Sequence, residues 1–408
     1  MSMNRLYELT QSYARKIGEA SGANINSLPI GTNGIGRFSI SPPQETALRL
    51  ALMEANWFLP LITMRDVSQI RGQVIDVGNP GVFTGRDPDK RFTKDVGLSG
   101  NLYQLYPTDS CARLPWALMS DWIHSGTTDE EFIQLVAEFT LLTFANDILR
   151  VGFNGTHAAA KTDLEKYTNG EDINTGWHQI AKNFDKAHAD DSTPDEDRIP
   201  GFTPRVMNPG DGVLTLGENG IFKTLDAMAS WLISTTIPQQ FQNDPGLVLL
   251  IGSDLIAAEQ FRLFQEAGKP TENIAAQMLA NTVTGRRVYV APFLPGKRMI
   301  ATTLANLHVY AQRGHQYRRA EHVQDRMGFE NAWWRNQGYA LGHPMMYGAI
   351  DEAAIAIEAE KDIESARLQG LLSGTDNTES ELDKLRFNRS AANGFQSFTV
   401  PYPPAYTG

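Results

Sequence analysis

Along residues 127–155, TTDEEFIQLVAEFTLLTFANDILRVGFNG, apolar side chains return every three or four positions, at Phe132, Leu135, Val136, Phe139, Leu142, Ala145, Ile148 and Leu149. Glu130, Gln134, Glu138 and Asn146 fall off that stripe, so the spacing predicts one helix with a broad buried face. Thr128 and Glu131 form a capping-box pair at its start, and Asp129 and Glu130 oppose the positive end of the helix dipole. Gly152 and Gly155 read as its end, because glycine accepts the left-handed conformation that closes helices. A helix over 128–152 is roughly 35 Å long at about 1.5 Å per residue, well beyond the globular mean.

The same periodicity predicts a helix over 1–20, with Leu6, Leu9, Tyr13 and Ile17 on one side, and a second over 44–57 that Pro60 stops. Between them 21–43 is rich in Gly, Ser, Asn and Pro and reads as an extended arm. Its glycines make no phosphate loop, since no strand precedes them and no Lys-Ser/Thr follows. Strand patterns appear from Gln73 to Val77, with a return at Phe92-Thr93 and Leu102 to Tyr106; the intervening GNPGVFTGRDPDKRFTKDVG is a long polar loop, either functional or partner-ordered, or else a floppy surface loop. Residues 156–216 read as mostly irregular, and the acidic run with Asp190, Asp191, Asp195, Glu196 and Asp197 lacks EF-hand spacing and reads as a solvated loop. His178 is placed at the end of a helix, as a packed residue beside Trp177.

Compactness resumes with a helix over 224–237, a buried strand LVLLI at 247–251 and a helix from Ser253 to 266. A helix around 272–283 and short strands at 288–290 and 299–302 complete the alternation of a small α/β sandwich. Leu307, Val309 and Tyr310 supply more strand, and 312–344 reads as a charged connection. An alanine- and glutamate-rich helix is expected over 350–369, and an aperiodic tail ending in prolines and aromatics over 370–408.

Charge and chemistry narrow the class. The formal net charge of −11 argues against a binder that relies on a basic face for nucleic acid. A single cysteine, Cys111, cannot form an internal disulfide and reads as a small buried apolar residue in a reducing compartment. The N-terminus has no apolar core of a signal peptide and no long uncharged apolar run occurs, so a soluble protein without a membrane partner is expected. The eight histidines are scattered, and HExxH, CxxC, GxSxG, the P-loop and a Rossmann fingerprint are missing. No catalytic, cofactor-binding or metal residue is assigned, and an assembly protein is favoured over an enzyme. Charged side chains of the long loop, Arg86, Asp87, Asp89, Lys90, Arg91 and Lys94, are candidate subunit contacts. So are His315, Arg318 and Arg319, which with His322 and Arg326 could alternatively hold an anion. Trp333 and Trp334 are large apolar anchors of the kind found at interfaces.

The order of these elements resembles the major capsid proteins of tailed phages of the Peduovirus (P-two-like) type. It runs from near Gln44 to about Glu358 and is carried by Val151-Gly152-Phe153-Asn154-Gly155, Gly176-Trp177, Arg205-Val206-Met207, and Phe241 to Gly252 (FQNDPGLVLLIG). Leu255, Phe261, Asn306-Leu307, Tyr310, His315 and Arg318-Arg319 continue it. The resemblance implies an α+β, HK-ninety-seven-like capsid fold with a long spine helix, a P-domain sheet, an A-domain α/β sandwich and an extended E-loop hairpin. On that plan 1–43 is an N-terminal arm, 44–68 the start of the P domain, 69–106 the E loop and 107–216 the P domain with the spine helix 128–152. Then 217–300 is the A domain, 301–359 the return to the P domain and 360–408 a C-terminal extension. It further implies self-assembly into pentamers and hexamers of an icosahedral head shell around double-stranded DNA, put together in the bacterial host cytoplasm. Portal, scaffold or decoration proteins and non-specific contact with packaged DNA are the implied partners. An encapsulin-type nanocompartment shell and a cytoplasmic oligomeric α/β enzyme are the alternatives.

Overall fold

The computed structural model describes residues 3–20, 30–31, 34–74, 84–86, 101–119, 128–189, 202–266 and 282–358. The chain falls into two units, 1–356 and 357–408; the architecture below is that of the first.

Helix α1 (Met3–Ala20) is followed by β1 (Ile30–Gly31) and β2 (Gly34–Ser39), so part of the expected arm is a sheet strand. Helix α2 (Pro42–Ala55) begins on its two prolines, where the first helical N–H groups need no partner within the helix. It stops at Asn56, ahead of Pro60: the Asn56 side chain accepts the Phe58 N–H (2.9 Å) and donates to Asn146 (2.8 Å). Strands β3 (Thr63–Val67), β4 (Arg71–Gln73), β5 (Leu102–Gln104) and β6 (Tyr106–Pro115) follow. Strands β4 and β5 pair antiparallel, which is the base of the expected hairpin; most of its loop lies outside the described residues.

Helix α3 (Asp129–Asn154) has the expected capping box, with Thr128 Oγ1 accepting the Glu131 N–H (3.3 Å) and Glu131 Oε2 accepting the Thr128 N–H (2.7 Å). Thr128→Ala is expected to cost about 1 kcal/mol, read as a fall in the urea midpoint of the unassembled subunit. The buried face differs from the expected stripe. Phe132, Val136, Ala145, Ile148 and Leu149 are buried, with Ile133, Thr140 and Phe144, but Leu135, Phe139 and Leu142 are 41%, 42% and 45% exposed. The cause is that α1 and the sheet cover one side of the N-terminal half only, through Leu9, Tyr13, Ile17, Phe38 and Phe329, while α2 covers the C-terminal half. By length and apolar content alone α3 could cross a bilayer, a test that the core helix of a soluble protein also passes.

The two glycines act differently from expectation as well. Gly152 stays inside the helix and Gly155 caps it at φ −58°, so neither uses the left-handed region. They are small because the chain passes close: a Cβ on Gly152 would lie 2.5 Å from the Trp177 ring, and one on Gly155 2.3 Å from the Asn174 carbonyl oxygen.

That close approach belongs to α4 (Trp177–Ala189), a helix inside the region read as mostly irregular, with His178 near its N-terminal end. After it come β7 (Val206–Met207), β8 (Leu214–Leu216), α5 (Leu225–Thr236), β9 (Leu247–Ile251) and α6 (Ser253–Glu266). Next are β10 (Thr282–Val283), β11 (Arg286–Tyr289), β12 (Met299–Thr303), β13 (Leu307–Gln312), β14 (Tyr317–Val323), β15 (Gly328–Leu341) and β16 (Tyr347–Ile350). Residues 282–283 are therefore strand, and 350–357 form strand and a 3-10 turn where helix was expected; 267–281 and 359–369 lie outside the described residues.

Two sheets organise the unit. One has six strands in the order β10-β11-β9-β12-β16-β7, with β9 wholly buried at its centre. The other has seven, β1-β2-β14-β15-β13-β3 with β6 also on β15. Residues 328–334 of β15 pair with β14 and β6 at once, and Gln337 with both Ala311 and Tyr106, so β13 and β14 run end to end along one edge and β6 along the other. The region read as a charged connection is thus the middle of a sheet. It was obscured because many of its buried positions are polar and hydrogen-bonded to one another: Asn331 accepts from Arg318 (3.0 Å) and donates to Tyr13 (3.1 Å), Asn336 donates to Gln312 (2.6 Å), and Gln337 donates to Tyr339 (2.8 Å).

Candidate assembly surfaces

Where the C-terminus of α3 meets α4, the two sheets are joined by a polar junction. Trp177 fills it, with its indole N–H donating to the His308 carbonyl (2.9 Å) and its ring edge-on to Phe153 (5.1 Å) and Tyr339 (5.4 Å). At the second position of α4, His178 places Nδ1 3.2 Å from the Tyr347 hydroxyl and Nε2 3.2 Å from Asp351 Oδ2, which also meets the Lys182 ammonium. Arg298 donates twice to Glu352 (2.7 and 2.8 Å) and once to the Phe153 carbonyl. Burial pushes His178 down to about 4, with Arg298 acting in the same direction, so the imidazole is neutral. Burial raises Asp351, but hydrogen bonds from His178, Lys182 and the Ala353 N–H outweigh it and hold the carboxyl well below the usual range.

His178, Asp351 and Glu352 each bring one ligand-type atom within 4.8 Å of the others, beside a polar cavity of about 460 Å³. Lys182 and Arg298 already neutralise those carboxylates, so a divalent ion would have to displace two cations of the chain itself. The arrangement works as an ion-paired clamp. Asp185, also on α4, extends it by accepting the backbone N–H of Arg205 and of Val206 (2.8 Å each), which gives the Arg205-Val206-Met207 stretch a structural reason.

The candidate contact residues separate into inside and outside. Arg318 and Trp333 are corrected: both are buried within the subunit, Arg318 on Asn331, and Trp333 with its N–H on Gln316 (3.2 Å) and its face under the Arg335 guanidinium (3.7 Å). They point to the inward face of the sheet, where α1 and α3 pack, and present nothing to a neighbour. Arg319, opposite in alternation, faces outward and is ion-paired to Glu321 (3.0 Å) and Glu330 (3.1 Å). Trp334 is half-buried on that outer face, against Tyr317 (5.4 Å) and under Arg37 (5.1 Å). His315 is exposed in the turn between β13 and β14, and Arg86 is exposed. Asp87, Asp89, Lys90, Arg91 and Lys94 lie outside the described residues. Cys111, expected to be buried, is exposed on β6. Sequence reasoning missed the exposed Leu135, Phe139 and Leu142; the available signal was that α3 carries more apolar residues than a single face can hide.

Comparison with known proteins agrees with the sheet and helix plan. The family profile "Phage major capsid protein, P2 family" matches residues 11–353. The capsid protein of Escherichia phage P2 is 23% identical over 310 residues, covering 73% of this chain and 80% of its own length. The major capsid protein of Serratia phage KSP20 is 20% identical over 290 residues, covering 68% of this chain and 78% of its own. A chain of the satellite phage P4 procapsid that includes the size determination (Sid) protein superposes with a TM-score of 0.63 at 21% identity, over 78% of this chain and 93% of that one. That likeness gives the fold, the α+β fold of HK-ninety-seven-like capsids. With the profile spanning most of the chain, from the middle of α1 to beyond β16, the chain belongs to the P2 family of phage major capsid proteins.

Proposed function

We propose that this capsid subunit builds pentamers and hexamers of the icosahedral head of a tailed phage, around double-stranded DNA, with assembly in the bacterial host cytoplasm. The match over 11–353 carries the reading. Residues 217–300, with α5, α6 and strands β9 to β11, serve as the A domain that converges at capsomer centres. The seven-stranded sheet with α3 serves as the P domain, and 69–106 as the E loop that lies over a neighbouring subunit. Arg86, His315, Arg319 and Trp334 are offered to neighbours, as are Asp87, Asp89, Lys90, Arg91 and Lys94. The role is structural and not enzymatic. A net charge of −11 suits a wall that touches packed DNA without holding it, because few cations are available to replace phosphate counterions. Portal and scaffold or decoration proteins are its partners in assembly.

Expression of the full chain followed by negative-stain microscopy tests this. Closed shells, or rings and sheets of capsomers, are the expected result. A small monodisperse oligomer that persists at high protein concentration would overturn it.

A further inference from the structure

The family match ends at residue 353, while the chain continues to Gly408. That continuation changes character along its length. Lys384, Arg386 and Arg389 form a basic cluster, and from Ser390 to Gly408 no charged residue occurs while Phe395, Phe398, Val400, Tyr402 and Tyr406 do. An uncharged aromatic stretch of this kind gains by leaving water, and the cations ahead of it favour an acidic neighbour.

Helix α3 offers the matching surface. Glu131, Gln134, Leu135, Glu138, Phe139 and Leu142 fall within one arc of about 140° on the helix, and all six are exposed. Leu135 and Leu142 are 41% and 45% exposed, two turns apart, with Glu130 and Glu131 on their N-terminal side and Glu138 between them along the helix. Gln134 donates to Glu138 (2.7 Å), which keeps this edge of the arc polar. The opposite arc, Phe132, Ile133, Val136 and Phe144, is in the core, so the exposed leucines are not needed for the fold.

We propose that residues 384–406 of a neighbouring copy dock along this arc of α3. The aromatic stretch covers Leu135 and Leu142, and Lys384, Arg386 and Arg389 lie toward the glutamates. Residues 359–389 span up to about 100 Å when extended, at about 3.3 Å per residue, which reaches a second subunit. The long loop is a poorer occupant, since Arg86, Asp87, Asp89, Lys90, Arg91, Lys94 and Asp95 would set charge against the leucines. The inference rests on the shell reading, which supplies the neighbouring copy.

The test places photo-reactive p-benzoylphenylalanine at Leu142 of the full chain and co-assembles it with excess unmodified full chain labelled with heavy nitrogen. Particles are checked by microscopy, irradiated and digested, and the crosslinked peptides are read by mass spectrometry. Heavy peptides from 384–408 are expected. They should fall several-fold when the heavy copies carry Arg386→Glu with Arg389→Glu. Shells whose adducts are absent, come only from other segments such as 75–100, or come only from light tail peptides overturn this inference and leave the shell reading standing. Failure to form particles overturns both.

Discussion

Trp177→Ala is expected to remove about 3–5 kcal/mol from the subunit, a large share of a typical domain stability of about 5–15 kcal/mol. The indole is fully buried and holds three parts of the fold at once: Phe153 at the end of α3, Tyr339 on β15 and the His308 carbonyl on β13. Truncation leaves a cavity lined by Phe153 and Tyr339 and a carbonyl without its donor, and both terms act in the same direction. Gly152→Ala attacks the same contact from the helix side, because the added methyl would sit 2.5 Å from the ring. The two changes should therefore couple: in a Trp177→Leu background Gly152→Ala costs much less than in the natural chain. Urea unfolding of the unassembled single and double variants measures this. Equal costs of Gly152→Ala in both backgrounds would show that the glycine is not there to admit the tryptophan.

The same contact shows what was legible in the sequence. Gly152, Gly155 and Trp177 stood out as residues, and the helix at whose C-terminal end the two glycines stand, α3, was legible from its capping box. Their relation was not, since a pairing between residues 152 and 177 depends on where α4 turns back, and α4 lay hidden in a stretch without clear punctuation. Strand LVLLI was legible because it is buried on both faces and so has no polar positions to confuse the pattern. Strand β15 was not, because its inward positions alternate Asn331, Trp333, Arg335 and Gln337, and periodicity takes buried amides and guanidinium for solvent. The candidate surface suffered from the same ambiguity in both directions. Trp333 and Arg318 carry the residue types of an interface and serve the core, whereas Leu135 and Leu142 carry the type of a core and face outward. Hydrophobicity alone does not separate a core from a surface that a neighbour will cover.

Acidification is expected to weaken the unassembled subunit by about 3 kcal/mol between pH 7 and pH 4, through histidines that the fold keeps neutral. His178 and His322 are both buried and both pushed down to about 4, by desolvation first in each case. The unfolded chain protonates them near the ordinary 6.5, so stability declines as pH falls below that value and levels off near 4, where the folded state also takes up the proton. Asp185 acts with the opposite sign: burial pushes it up to about 6, so the folded state binds its proton first and gains stability as pH falls from 6 toward 3.8. One such carboxyl offsets one histidine, which leaves the net loss near that of a single buried imidazole, about 3 kcal/mol. Asp351 contributes little slope in this window, because its folded carboxyl stays charged and its unfolded one titrates near 3.8. Its effect is seen in the variant instead. Asp351→Ala leaves the buried His178 Nε2–H and the Ala353 N–H without their acceptor, while the part-exposed Lys182 turns to water, and should cost about 1–3 kcal/mol at pH 7. His178→Gln, which can keep a hydrogen bond to Asp351, should flatten the decline between pH 6.5 and 4 while costing less at pH 7. Urea midpoints at half-unit pH steps separate these cases, and a natural chain whose stability is level or rising from pH 7 to pH 4 would mean that the clamp does not exclude the proton.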